Sequence, residues 1–319
     1  MSDDNFSELR ARREAALAQG GAEGVARQHA RGKLTARERI DRLLDAGSFC
    51  EMAMLAGKGS YDGQGEYQSF TLDTAVPDDR RKVFDVRRIL QAIFDAGSLF
   101  EMARPFGGSI VTMLGRLDGC AVGVVANDPR VMGGALTLHA ARKLERFVDL
   151  CDTFHLPIVN IVDQPGVMFG LDAEKVGTMG AALRAIAAIE QAVVPWCSVI
   201  IRRAFGVGGQ MQGPQHGPDG YSLNHRFAWP SARWGSIPIE GGVAAAYRQE
   251  LADAADPAER QAELEAYYHR LSSPFRTAER FGIVDIIRPS ETRKVLCKWV
   301  EDAFTLSQGQ LGLRLRTMR

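Results

Sequence analysis

Residues 194–213 read VPWCSVIIRRAFGVGGQMQG. The run Cys197-Ser198-Val199-Ile200-Ile201 predicts a buried β-strand. The chain then breaks at Gly206-Val207-Gly208-Gly209 and resumes as Gln210-Met211-Gln212. A strand that ends in such a turn presents backbone N–H groups with no side chains in the way. If a helix starts there, its first amides are unpaired and its dipole is positive at that end. The turn can then hold an anion or a developing oxyanion. Taken alone, a glycine turn reads first as structural punctuation.

A second loop strengthens the chemical reading. Pro157 to Val162 predicts another buried strand, followed by the turn Asp163-Gln164-Pro165-Gly166-Val167-Met168. An Ala-rich helix is expected from Ala173 to Ala192, between this turn and the opening strand. Successive strands joined by one helix are often neighbours, so both glycine turns are expected at one end of the sheet. Two N–H groups aimed at one oxygen make an oxyanion hole suited to an enolate, a thioester oxyanion or a ureido oxyanion. The third loop, Val131-Met132-Gly133-Gly134-Ala135, reads as a turn before it reads as a ligand contact. The chain has no G-x-S-x-G, H-E-x-x-H, P-loop or dinucleotide-binding glycine motif.

Working outward, the pattern is α/β. An amphipathic helix is expected over Phe84–Phe94, and strands over Ser109–Leu117 and Cys120–Ala126 with a hairpin turn at Asp118-Gly119. Helical spacing covers Leu136–Phe154. The chain after Gly220 reads as irregular through Trp229 and Trp234. Helices are expected at Gly242–Ala254, Ala258–Leu271 and from Glu291 to about Leu306, after a short run at Ile283–Ile287. Near the start, Ser7–Gln19 is helix-prone, and Thr35-Ala36-Arg37-Glu38 is a capping-box pattern.

An internal repeat bears on domain history. Asp45-Ala46-Gly47-Ser48-Phe49-Cys50-Glu51-Met52 recurs as Asp95-Ala96-Gly97-Ser98-Leu99-Phe100-Glu101-Met102. Each copy follows a helix with similar apolar spacing. It reads either as a reused helix-to-strand connector or as the introduction to each of two duplicated domains. The second copy leads into a full domain. The first leads only into Ala56–Asp79, rich in Gly, Ser, Gln and Asp, so one domain appears in the pattern only as its connector.

Lysine plus arginine and aspartate plus glutamate each number 39, so the formal charge is zero. Nothing in this balance draws the chain to nucleic acid or to an anionic membrane. No apolar run approaches a membrane span, and Met1–Asn5 has no secretory character. The five cysteines are widely spaced without a C-x-x-C pair, so neither a disulfide scaffold nor a metal site is expected. A reduced, cytoplasmic protein is the expectation, with Cys151 and Cys197 buried and inert.

At the glycine loops the sequence resembles one family specifically: the carboxyltransferase (β) subunits of biotin-dependent acyl-CoA carboxylases, the propionyl-CoA carboxylase β family. The residues that carry the resemblance are Gln28–Ile40, Phe147–Asp152, Val162–Gly166, Val194–Trp196, Arg203–Gly206, Ala228–Ser231 and Ser273–Phe275. The resemblance implies a ClpP/crotonase-like β-β-α superhelix, here in a single copy with an N-terminal helical extension. It divides the chain into a helical segment 1–55, a linker 56–80, a carboxyltransferase C-terminal domain 81–310 and a tail 311–319. It implies oxyanion donors at the amides of Val207 and Gly208, with Gly166 and Val167 on the facing loop. Gly206, Gly209, Gln210, Gly133 and Gly134 are the implied cofactor-binding positions. Gln210 stands where the family has an acidic residue associated with acyl selection. The implied cofactors are biotin, as carboxybiotin on a carrier protein, and a coenzyme A thioester, with no metal. The implied partners are a biotin carboxylase/biotin carrier subunit and further copies of the chain, as a dimer or trimer of dimers. Carboxybiotin provides the base in that family's mechanism, which agrees with the missing triad.

Other classes stay open at this point: a non-catalytic biotin, biotin-carrier or CoA binder, an acyl-CoA decarboxylase, or a crotonase-type hydratase using Glu174. Glu174 otherwise reads as first-turn helix chemistry. His139 and His155 read as surface or core-edge residues, and His216 and His225 as structural. Asp163 reads as a cap on its turn. Arg202 and Arg203 suit either a CoA phosphate or an interface ion pair. Trp229 and Trp234 suit packing before contact with a biotin ring.

Overall fold

A computed structural model describes residues 21–43, 60–61, 67–68, 72–77, 82–211, 213–214, 223–236, 239–272, 274–278 and 283–313. The chain divides into two compact units between Ser69 and Phe70. The Ser7–Gln19 helix, the first copy of the repeat, Cys50 and His216 lie outside the described residues.

The first unit holds α1 (Gly21–Ala30) and α2 (Ala36–Leu43), and a short hairpin of β1 (Ser60–Tyr61) and β2 (Tyr67–Gln68). The capping box forms before α2. The Glu38 N–H donates to Thr35 Oγ1 at 3.3 Å, and the Thr35 N–H donates to Glu38 Oε2 at 2.6 Å. Hydrogen bonds from His29 and from the Thr35 backbone pull the Glu38 carboxyl down to about 2.

The second unit is built on one sheet. Its strands are β3 (Phe100–Met102), β4 (Ile110–Leu117), β5 (Cys120–Asn127), β6 (Ile158–Gln164), β7 (Trp196–Phe205), β8 (Asn224–Ala228), β9 (Arg233–Gly235) and β10 (Asp285–Ile286). The order is β10-β8-β7-β6-β5-β4-β3, with β9 also on β7. Strands β3 to β5 are antiparallel; β5 to β8 and β10 run parallel. Every residue of β6 is buried. Such unbroken burial is expected of a parallel strand covered on both faces.

Alternation along the strands feeds two cores. Val159, Ile161, Val199 and Ile201 pack with α3 (Val86–Ile93) and with Leu296, Trp299 and Val300 of a C-terminal helix. Ile158, Val125 and Trp196 pack with α4 (Leu138–Thr153) and with the Ala-rich helix behind it. That second helix is not continuous from Ala173 to Ala192. It forms as α5 (Leu171–Lys175) and α6 (Thr178–Gln191), parted at Gly177, which has φ +77°. A left-handed residue ends one helix and cannot continue into the next. Ala181, Ala182, Ala185 and Ala188 form the buried face of α6, and their small side chains let it lie close to α4.

The stretch read as irregular after Gly220 contains β8 and β9. Their residues, NHRFA and RWG, carry too few apolar alternations to stand out. Pairing with β7 holds them in place. Beyond the glycine turn the chain adds α7 (Gly206–Gln210), α8 (Ile239–Ala246), α9 (Arg248–Asp253), α10 (Pro257–Leu271), α11 (Pro274–Ala278) and α12 (Thr292–Gln308). The repeat's second copy has a visible task. Asp95 accepts N–H bonds from Asp118 at 3.0 Å and Gly119 at 2.8 Å, which clamps the β4–β5 hairpin.

Candidate active site

Strands β5, β6 and β7 run parallel, and their C-terminal ends carry the three glycine loops. The loops are in direct contact. A methyl on Gly208 would stand 3.1 Å from the Gly166 carbonyl carbon and 3.2 Å from Gln164 Cγ. One on Gly134 would stand 3.1 Å from the Asp163 carbonyl oxygen. A parallel bridge joins Leu136 to Val167, with the Leu136 N–H donating to Gly166 O at 3.0 Å. The crevice beyond the carboxyl ends of parallel strands is where open α/β sheets bind ligands.

The turn after β7 is a helix start. Gly206 has φ +61°, and α7 begins there with Phe205 as N-cap and no side-chain cap. Val207 and Gly208 therefore hold the second and third helical positions, whose N–H groups have no intrahelical acceptor. Val207 is exposed and Gly208 is buried against Gln164. Gly209 is held by close approach, since a methyl there would lie 2.6 Å from the Ala204 carbonyl carbon. Gln210 closes α7, and its side chain lies outside the described residues.

The facing loop differs from expectation at one atom. The Gly166 N–H is not free: it donates to Gln164 Oε1 at 3.0 Å. Gln164 is itself buried between the two turns. Of the expected donors, Val207 and Gly208 carry the uncapped positions, and Val167 sits at the bridge to Leu136.

The support of these loops rests on charges assigned otherwise from the sequence. Asp163 does not cap its turn. It is fully buried, and it accepts from Arg202 Nη2 at 2.7 Å and from Arg203 Nε at 2.7 Å. Arg202 is 2% exposed, donates to Lys82 O and stacks over the Phe84 ring at 4.7 Å. Arg203 also donates to Gly133 O at 2.7 Å. Neither arginine is left for a CoA phosphate, and the ion pairs lie within the chain. Asn127 completes the tie, accepting from the Asp163 N–H at 3.1 Å and donating to Gly134 O at 3.1 Å. The signal for this cluster was present: charged residues inside strands that are otherwise apolar must find partners.

The remaining candidates fall outside it. Glu174 is exposed on the five-residue helix α5. His139 is exposed beside the Phe106 ring, and His155 Nε2 accepts from the Gly312 N–H at 3.3 Å. His225 packs on Phe227, and burial lowers its pKa. Trp229 is buried and donates to Thr292 Oγ1 at 2.9 Å. Trp234 packs against the cluster around Ile200 and Ala228. Cys151 and Cys197 are buried, and burial raises both thiol pKa values. Among the described residues, no group of three or more His, Cys, Asp or Glu could hold a metal ion, and no helix is long and apolar enough to cross a membrane.

The sheet with backbone-amide loops at its carboxyl edge is a crotonase-like α/β fold. The chain belongs to the carboxyl transferase domain family, whose model matches residues 27–66 and 60–311. It is 38% identical over 226 residues to the carboxyltransferase subunit of propionyl-CoA carboxylase from Haloferax mediterranei, covering 70% of this chain and 43% of that one. It is 34% identical over 228 residues to the methylmalonyl-CoA carboxyltransferase 12S subunit of Propionibacterium freudenreichii subsp. shermanii, covering 71% and 43%. A solved transcarboxylase 12S hexamer, with methylmalonyl-coenzyme A and methylmalonic acid bound, superposes with a TM-score of 0.67 at 31% identity. That match covers 78% of this chain and 46% of the 12S chain. The chain thus spans less than half the length of these relatives.

Proposed function

We propose that this chain is the carboxybiotin-side half of a carboxyltransferase that moves a carboxyl group between carboxybiotin and the α-carbon of an acyl-CoA. The observation that carries the reading is the uncapped start of α7, with the Val207 and Gly208 amides beside the Gly166–Val167 loop. Residues 81–310 form the working domain, 1–55 a helical segment and 56–80 a linker. The family match in two stretches, 27–66 and 60–311, supports a chain that joins the two ends of a longer architecture without its first crotonase-like domain.

The donor set suits the substrates. Carboxybiotin, when bound, supplies both the carboxyl group and the base. The chain's own task is to stabilise negative charge and to position. Backbone amides at a helix start favour an oxyanion and need no reorganisation when charge develops on it. The cluster of Asp163, Arg202 and Arg203 carries a formal charge of +1, adding to the positive potential behind the loops. Gly206, Gly209, Gln210, Gly133 and Gly134 shape the surrounding walls.

The CoA half of the site would come from a second chain. Around the loops, Phe169, Leu171, Val176, Met179 and Leu183 are exposed apolar side chains, as an unfilled interface would leave them. A homo-oligomer, a dimer or trimer of dimers, and a biotin carboxylase/carrier subunit are the partners of this reading, and the cytoplasm its location.

The test is carboxyl exchange by the pure chain: loss of methylmalonyl-CoA or malonyl-CoA in the presence of free biotin. Turnover that requires biotin is the expected result, alone or with a CoA-binding N-terminal domain of the family supplied in trans. If neither arrangement shows biotin-dependent loss, the reading fails.

A further inference from the structure

A cavity of about 360 Å³ lies between Trp229–Ser231, the start of β9, the segment Leu72–Val76 and Pro289. None of its lining residues belongs to the three glycine loops. Its walls are apolar at Leu72, Val76, Trp229 and Pro289. Its cation is Arg233, a half-buried arginine with no acidic partner among the described residues. Nη1 donates to Pro230 O at 2.8 Å and to Ala232 O at 2.6 Å. Nε is sealed from solvent and has no acceptor. Nη2 makes no hydrogen bond among the described residues, so the guanidinium's charge is left without a counter-ion. By contrast, Arg202 is ion-paired with Asp163, and the Lys143 ammonium donates to Ile110 O.

One carboxylate lines the same cavity. Asp73 accepts the Ser290 N–H at 3.0 Å, ahead of α12, and lies beyond ion-pair distance from Arg233. Its charge is turned to the approach of that helix. Ser231 Oγ is committed to Ile201 O at 2.7 Å, so it offers no competing donor to a ligand.

We propose that this cavity is a binding site for a small carboxylate with an apolar body. The carboxylate pairs with the uncompensated Arg233 guanidinium through Nη2. The apolar body lies against Leu72, Val76 and Pro289. The volume falls within the range of small-molecule sites, and one placed charge in an apolar wall is their usual composition. A single arginine suits a monocarboxylate, whereas a phosphate has no second cation to meet here. The site also touches the chemistry mechanically. Arg233 is in register with Arg203, three positions before Gly206, and a methyl on Gly206 would stand 3.4 Å from Ser236 O.

The test uses the full chain and benzoate as the probe, with no biotin or CoA present. Ligand-observed NMR titration should show saturable benzoate binding. Benzamide, its neutral counterpart, and inorganic phosphate should not compete. Arg233→Gln should weaken binding at least about tenfold, the scale of a lost charge-assisted hydrogen bond. Val76→Trp fills the cavity while leaving Arg233 in place, and it should abolish binding even if Arg233→Gln fails to fold. No saturable binding to the unaltered chain overturns the proposal, as does binding that survives Val76→Trp or is matched by phosphate or benzamide.

Discussion

Arg203 joins the Asp163 carboxylate to the Gly133 carbonyl, with 2.7 Å contacts at both ends. One side chain thus fixes the end of β6 to the loop after β5, while Arg202 holds the same carboxylate from the neighbouring position on β7. Asp163→Asn would leave two guanidiniums around a neutral group in a buried place. Breaking a buried pair in this way costs about 3–5 kcal/mol. Chemical denaturation should read a loss of that order. A loss below about 1 kcal/mol, the scale of an exposed pair, would mean the cluster does not hold the fold.

Val207→Pro removes one amide at the start of α7 and nothing else that is buried. Proline is tolerated in the first turn of a helix, and the Val207 side chain is 41% exposed. Biotin-dependent exchange should fall by about 100- to 1000-fold, the measured range for loss of an oxyanion donor. Val207→Ala keeps the amide and should keep the rate. Equal rates in the two variants would remove Val207 from the donor set.

Lys143 gives a pH signature to folding. Its ammonium is buried and donates to Ile110 O at 2.8 Å. Burial lowers its pKa from 10.5 to about 8, with Glu101 opposing that fall and Arg87 adding to it. The unfolded chain therefore holds this proton over a range where the folded chain has released it. Between about pH 8 and 10.5 the unfolded state binds more protons, so this group makes stability rise with pH. Below about pH 8 both states are protonated and the penalty of burying the charge is fully present. Denaturation curves of Lys143→Met should show a smaller rise across that window than the unaltered chain. Identical slopes would place the proton elsewhere.

The apolar side chains beside the loops predict self-association. Phe169 is 90% exposed, and Leu171 and Leu183 are each more than half exposed. Light scattering of the purified chain should report a dimer or larger. A monodisperse monomer would argue that a different polypeptide covers this face.

Much of the fold was legible because its signals were local. The apolar runs at Ile158 and Trp196 became the central strands, and the Asp118-Gly119 turn became the hairpin. What was not legible depends on contacts between distant residues. Strands β8 and β9 borrow their conformation from β7, so their own composition says little. The break at Gly177 lies in an Ala-rich run whose helical spacing carries on across it. At the site, the meeting of the two glycine turns followed from strand order. The donation of the Gly166 N–H to Gln164 did not, because it depends on a rotamer. Asp163 was misread for the same reason: its partners lie 39 and 40 positions away.

Those separations have a kinetic meaning. The contact from Arg203 to Gly133 spans 70 positions, and the same guanidinium must also reach a carboxylate that is itself sealed inside the sheet. Contacts of long sequence separation form after local ones, because chain closure must come first. The clamp therefore closes only once β5, β6 and β7 lie side by side. An intermediate with the hairpin and helices formed would still lack aligned amides. The alignment of the loop amides is thus a late product of folding, and parting the sheet at β5, β6 or β7 would undo it.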